Sequence, residues 1–232
     1  MQIHGLSKLT LLDYPGHIAA TIFTGGCNFR CPYCHNKELV IHPEQYPTIP
    51  EEEVLSFLKS RVGKLQGVCV TGGEATLQPD LEDFIKQIKD MGLLVKLDTN
   101  GYRPEIVRKL MDEKCIDYVA MDIKNSKEKY ALTCGLSTMD IARLEETAQL
   151  LMESDLQYEF RTTVVQELHD KDDMEKIGQW IRGAKAYFLQ SYEESEGVIR
   201  PGFSAKSKEE LEEMLKIARV YVPQAALRGV EG

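Results

Sequence analysis

The sequence has no apolar run long enough to span a membrane. The longest near its start, Ile18 to Phe23, is interrupted by Thr21 and falls far short of the roughly 20 residues a bilayer requires. It also lacks the apolar stretch of a secretory signal, since His4, Lys8 and Asp13 stand where one would be. These two absences give the expectation of a cytoplasmic protein with no membrane partner. Positive charge is in deficit as well. Lys and Arg number 28 against 37 Asp and Glu, a formal net charge of −9, which argues against a nucleic-acid partner held by phosphate neutralisation. Low-complexity tracts, long linkers and short-period repeats are missing too. With 43% apolar residues in 232, the chain can bury a substantial core, and that excludes a disordered or fibrous protein.

Cysteine is scarce but unevenly placed. In a reducing compartment the six cysteines read as ligands, nucleophiles or core fillers rather than disulfides. Cys27, Cys31 and Cys34 fall within eight residues, while Cys69, Cys115 and Cys134 are scattered.

Short β-branched runs alternate with amphipathic stretches. The runs predict strands at 18–24, 67–71, 93–97, 117–123, 156–165 and 186–190. Helices are expected at 50–62, 79–91, 104–114, 138–153, 171–182 and 208–221. Pro50, Pro79 and Pro104 open three of them, Gly92 closes one, and Ser207 with Glu210 forms a capping box. Six strand–helix alternations imply a parallel sheet with right-handed crossovers, too few for a closed eight-stranded barrel. An open partial barrel and a doubly wound sheet both satisfy this count. In either, chemistry sits at the C-terminal ends of the strands.

The first such end carries Gly25-Gly26-Cys27-Asn28-Phe29-Arg30-Cys31-Pro32-Tyr33-Cys34-His35-Asn36. Three thiolates spaced CxxxCxxC on one loop suit three corners of an iron–sulfur cube and leave the fourth iron open. Other readings compete. Zinc would need a fourth ligand, and His35, adjacent to Cys34, is badly placed to share its ion. Cys31 to His35 spells the covalent haem pattern, which leaves Cys27 unexplained. A thioredoxin-like CxxC pair also leaves Cys27 over. Chance clustering of structural cysteines is the remaining reading.

Further candidates sit at the other strand ends. Thr71-Gly72-Gly73-Glu74 follows the second strand; the glycines permit close backbone approach, and Glu74 offers an acceptor for an ammonium. A plain turn would explain Gly-Gly-Glu equally well in isolation. Asp98 places a carboxylate at the third strand's rim, with Asn100-Gly101 read as a turn. Asp122 and Lys124 flank Ile123 and share one face; a surface ion pair is the bland account. Arg161 lies mid-strand, where burial demands a partner, either a rim acid or a ligand carboxylate. Cys69 and Cys115 read as core residues, and Cys134 carries no assigned role.

The CxxxCxxC loop after the first strand resembles the signature of the radical S-adenosylmethionine (SAM) superfamily. Cys34-His35-Asn36 resembles the glycyl-radical-enzyme activating enzymes, and Leu11-Leu12-Asp13-Tyr14-Pro15-Gly16 is similar to the activating proteins of anaerobic ribonucleoside-triphosphate reductase. The resemblance covers roughly residues 5–190. It implies an α/β fold, a partial (β/α)6 barrel of the radical SAM type. It implies a single domain over 1–232, with a core at about 16–192 and a C-terminal helical extension at about 205–222.

It further implies one 4Fe–4S cluster on Cys27, Cys31 and Cys34, which are the catalytic and metal-binding residues. SAM would be held by Tyr33, His35, Gly73, Glu74, Asp98, Asp122, Lys124, Arg161 and Gln190, and a monovalent cation could lie near Asp98 and Asp122. Within that set, Glu74 would face the amino group of SAM, Lys124 its carboxylate and Tyr33 its adenine. Gln190 stands where related activators carry a histidine. Residues 36–50 hold no cysteine, so no second cluster is implied. The implied partners are a glycyl-radical enzyme, anaerobic ribonucleotide reductase foremost, and an external one-electron donor such as flavodoxin or ferredoxin. A pyruvate formate-lyase type activase, a small-molecule enzyme such as a carboxy-deazaguanine synthase, and an iron–sulfur electron carrier are the alternatives.

Overall fold

The computed structural model describes residues 1–230. Its sheet orders eight strands in chain sequence, β1 (Ile3–Thr10), β2 (Ala19–Thr24), β3 (Gly67–Gly72), β4 (Leu94–Thr99), β5 (Tyr118–Asp122), β6 (Gln157–Val164), β7 (Tyr187–Ser191) and β8 (Ala226–Arg228). The helices are α1 (Lys37–Ile41), α2 (Glu51–Ser60), α3 (Leu81–Asp90), α4 (Pro104–Asp112), α5 (Tyr130–Thr133), α6 (Ile141–Glu153), α7 (Lys171–Trp180) and α8 (Lys208–Tyr221).

The expected strands are β2 to β7, each within two residues of its expected bounds and each followed by a helix. Pairing is parallel for β2–β3, β3–β4, β6–β7 and β7–β8, as helical crossovers require. Two strands escaped the sequence reading. β1 pairs antiparallel with β2 through a register broken by two irregularities, and its residues do not alternate cleanly between apolar and polar. β8 is three residues long and depends on tertiary contacts. Arg228 makes two 2.7 Å bonds to the buried carboxylate of Glu159 and stacks 3.4 Å from the Phe188 ring centroid.

The chain forms two compact units. One comprises Met1–Asn28, Glu38–Ala120 and Asp155–Gln157; the other Phe29–Lys37, Met121–Ser154 and Tyr158–Gly232. In the first, Val68, Val70, Val95 and Leu97 of β3 and β4 are buried, as are Phe84, Ile85 and Ile88 of α3. In the second, Phe160 and Leu189 are buried with Leu144, Leu151, Met174 and Ile177. Strands buried on both faces read as continuous apolar runs, which is why β3 and β5 were visible in the sequence. Both helices with a full capping box, α7 on Asp170 and Asp173 and α8 on Ser207 and Glu210, begin where those side chains satisfy the first free backbone N–H groups.

Candidate active site

In the first unit, the loop leaving β2 is shaped by its glycines. Gly26 has φ +83, a conformation that costs an L side chain energy but costs glycine none. Its carbonyl accepts the N–H of Glu74 at 2.7 Å. Gly73 passes so close that a Cβ there would penetrate the Gly26 carbonyl. The Gly-Gly-Glu segment is thus seated backbone to backbone on the turn that carries Cys27.

Glu74 is buried and works as a hub. Its Oε1 accepts from Thr76 N at 3.1 Å, from the Thr76 hydroxyl and from the Thr99 hydroxyl at 2.8 Å; its Oε2 accepts from Asn100 N at 2.6 Å. Burial pushes the carboxyl up, and these hydrogen bonds oppose the rise. Most of its acceptor capacity is spent tying the end of β3 to the end of β4, which leaves a lone pair on Oε2 for any further donor. Asp98 is paired with the ammonium of Lys96, a buried lysine inside β4 that the sequence reading did not single out. Lys96 also lies 3.8 Å from the Cys69 sulfur.

Asn100 does more than turn the chain. Its side-chain nitrogen donates to Asn28 Oδ1 at 2.8 Å and stands 3.9 Å from the Cys27 sulfur. The sequence offered only an Asn-Gly turn signal at that position, and nothing local marks its contact with a cysteine 73 residues away.

In the second unit, the loop continues through Cys31, Tyr33, Cys34 and His35. The Cys34 N–H donates to the Cys31 carbonyl at 3.0 Å. The segment after β7 clasps this loop, with Ile199 N–H on the Cys34 carbonyl at 3.1 Å and Arg200 N–H on the Pro32 carbonyl at 2.8 Å. His35 bonds through Nε2 to the Glu193 carbonyl and stacks on Tyr192 at 5.6 Å and 13°. Tyr33 is buried, meets Tyr192 edge-on at 6.4 Å, and its hydroxyl has no hydrogen-bond partner among the described residues. An orphaned buried hydroxyl is costly, and a ligand group or water is the usual remedy.

Asp122 anchors a charged triad in the same unit. Arg161 Nε donates to its Oδ1 at 2.9 Å and Lys124 Nζ to its Oδ2 at 2.9 Å. Burial alone would raise the Asp122 carboxyl, but the two cations outweigh it and hold it at about 2. Burial likewise pulls Lys124 down, and the Asp122 charge more than reverses this, so the ammonium persists well past its ordinary range. Of the two partners expected for Arg161, the structure supplies the rim acid. Gln190 lies near the end of β7, in register with Thr163 and Arg228.

The donor set suits a thiolate-bound cluster, since none of the six cysteines is tied up in a disulfide. The Cys31 thiol is pulled down by a hydrogen bond from Cys134 against the opposing effect of burial, with help from Lys124. Burial pushes the Cys34 thiol up. Among the described residues, no three His, Cys, Asp or Glu side chains converge tightly enough to hold an ion directly. Also among them, no helix is long and apolar enough to cross a membrane.

Residues 21–181 match the radical SAM superfamily. A Methanocaldococcus jannaschii protein named as a glycyl-radical enzyme activating enzyme is 30% identical over 99% of this chain and 97% of its own. The pyruvate formate-lyase-activating enzyme of Clostridium pasteurianum is 34% identical over 53% of this chain and 52% of its own. Among solved structures, Streptococcus suis SuiB bound to S-adenosylmethionine aligns with a TM-score of 0.69 at 14% identity, over 91% of this chain and 52% of that one, a likeness of fold. The chain belongs to the radical SAM superfamily and, within it, to the glycyl-radical-enzyme activating enzymes. Its fold is the partial (β/α)6 barrel of that superfamily, with β1 and β8 added, and it is an enzyme of the oxidoreductase type. The family works with a 4Fe–4S cluster and SAM, and its activases act on glycyl-radical enzymes.

Proposed function

We propose that the chain activates anaerobic ribonucleoside-triphosphate reductase by forming a glycyl radical on it. The observation that carries this choice of partner is the sequence itself: Leu11 to Gly16 together with Cys34-His35-Asn36. When bound, a reduced cluster and SAM supply reductive cleavage of a carbon–sulfur bond and a 5′-deoxyadenosyl radical. Cys27, Cys31 and Cys34 hold the cluster. Lys124 and Arg161 present cationic groups to the SAM carboxylate, and Gly73 and Glu74 receive its ammonium on backbone carbonyl and the remaining Oε2 lone pair. Tyr33 would pack beside the adenine, where its buried, unpartnered hydroxyl could take a ligand partner, and His35 and Gln190 would complete the residues that hold SAM. Asp98 and Asp122 shape the site.

A monovalent cation near Asp98 and Asp122 would have to share carboxylates that already face cations of the chain itself, Lys96 for one and Arg161 with Lys124 for the other. The whole chain, 1–232, serves as one radical SAM domain in the cytoplasm, reduced by a flavodoxin or ferredoxin, without nucleic-acid or membrane partners. A second reading, activation of a pyruvate formate-lyase type enzyme, is favoured by the names of several relatives. Incubating the reduced protein and SAM separately with each partner decides between them. A glycyl electron paramagnetic resonance signal on the reductase supports the proposal. A signal on the lyase alone overturns the partner, and consumption of a small molecule with no protein radical overturns the activase function.

A further inference from the structure

The second unit contains a cavity of about 500 Å³ that the proposed function leaves unused. It opens where three segments meet: the cysteine loop, the short helix α5 with the turn after it, and the strap that follows β7. Arg30 and Pro32, the residues on either side of Cys31, line it together with Leu132, Leu168, Arg200 and Phe203. Backbone contacts hold these segments together. The Arg200 N–H donates to the Pro32 carbonyl at 2.8 Å, and the Arg30 N–H to the Cys134 carbonyl at 2.9 Å. Gly135 passes so close to the Arg30 carbonyl that a Cβ there would overlap it. One wall of the cavity is thus the cysteine loop itself.

The lining is cationic in an acidic chain. Two exposed arginines line the cavity and no carboxylate does, against a formal charge of −9 for the whole protein. Arg200 makes no ion pair among the described residues. Two carboxylates approach the strap, and its backbone engages both: Glu194 accepts from the Gly202 N–H at 2.6 Å and Glu167 from the Ser204 N–H at 3.0 Å. Leu132, 70% exposed, adds an apolar edge beside the arginines.

We propose that this cavity docks the acidic one-electron carrier protein that reduces the cluster, with Arg30 and Arg200 meeting its carboxylates and Leu132 and Phe203 its apolar contact face. A donor has to come close to a cluster ligand, and this surface flanks Cys31 on both sides. The glycyl-radical enzyme has instead to reach SAM, and the proposed SAM contacts Tyr33, Glu74 and Lys124 do not line the cavity. Electron-transfer encounters use small interfaces, and complementary charge acts chiefly on their rate of association, so a patch of this size suffices. One electron leaves the reduced carrier and enters the cluster, and no proton or group is transferred. The proposal deepens the proposed function and rests on the cysteine loop holding the cluster, which SAM cleavage by the dithionite-reduced protein tests without any carrier.

The experiment compares reductants on the anaerobically reconstituted holoenzyme. Dithionite needs no docking surface, whereas a flavodoxin or ferredoxin of acidic isoelectric point does. Calorimetry at low ionic strength measures binding of each carrier, and 5′-deoxyadenosine formation gives the initial rate of SAM cleavage with each reductant. Arg200→Glu reverses a charge in the cavity, Leu132→Ser removes the apolar edge, and Lys64→Glu makes the same charge reversal on the other unit. We expect Arg200→Glu to weaken carrier binding about tenfold and to flatten its salt dependence. The carrier-driven rate should fall with it, while iron content and the dithionite-driven rate stay at wild type. Leu132→Ser should weaken binding less, and Lys64→Glu should leave it unchanged. Equal carrier affinity in Arg200→Glu and wild type would overturn the proposal, as would a wild type that binds neither carrier. Loss of the dithionite-driven glycyl radical with carrier binding intact would overturn it too, in favour of a site for the glycyl-radical enzyme. Should Arg200→Glu lose iron, the same comparison on Leu132→Ser decides, and unchanged carrier affinity there overturns the proposal.

Discussion

Arg161 Nε and Asp122 Oδ1 lie 2.9 Å apart, joining the middle of β6 to the last residue of β5. The pair answers the difficulty that the sequence posed, a guanidinium in a strand covered by helices. The Asp122 carboxylate is shared with Lys124, so one anion is paired with two cations.

Arg161→Met leaves Asp122 with half its compensation. Removing one partner of a largely buried ion pair costs about 3 kcal/mol at neutral pH. The Asp122 carboxyl, at about 2, lies below its ordinary unfolded value. The pairing therefore stabilises the fold above roughly pH 4, the unfolded carboxyl range, and this contribution is lost as the pH falls toward the folded value. Urea unfolding of both proteins should show a gap that is wide at pH 7 and closes toward pH 2. A gap constant over that interval would mean that the arginine acts through packing rather than through Asp122.

Gly73→Ala places a methyl group inside the Gly26 carbonyl. Neither side of that contact is a flexible side chain, so the turn bearing Cys27 must move. Such overpacking costs about 1–3 kcal/mol. The expected result is a lower melting temperature together with reduced iron content after reconstitution. Iron content equal to wild type would show that the turn relaxes without displacing the cysteine.

Glu74→Ala and Lys124→Ala should each lose affinity and stability, the first through the hub it removes and the second through the cation it takes from Asp122. Lys124→Ala removes a charge-assisted contact and is expected to weaken SAM binding about ten- to a hundredfold, with the cluster absorbance intact. Glu74→Ala strips the acceptor from Thr76, Thr99 and Asn100 together, so the protein should lose stability as well as affinity. Calorimetry on SAM and thermal melts of both variants check this. A Glu74→Ala protein as stable as wild type would contradict the hub.

The strands β2 to β7 and their helices were legible because their apolar runs and capping residues are local signals. The cysteine loop and Gly73-Glu74 were legible because they sit just past β2 and β3. β8 was not, since an Arg228–Glu159 pair holds three residues with no pattern of their own. Lys96 and Asn100 were not legible as contributors either. Each acts through a contact that folding creates: Lys96 on Asp98 and Asn100 near Cys27. A lysine in an apolar strand was the one available signal among them, because burying an ammonium requires a partner.

The most direct test of the account is SAM cleavage by the dithionite-reduced, reconstituted protein, measured as 5′-deoxyadenosine formed per chain. Wild type, Cys69→Ala and Cys115→Ala should form it, and Cys27→Ala, Cys31→Ala and Cys34→Ala should form none and hold markedly less iron. Equal product or equal iron in the two groups would contradict the assignment of the CxxxCxxC loop as the cluster site.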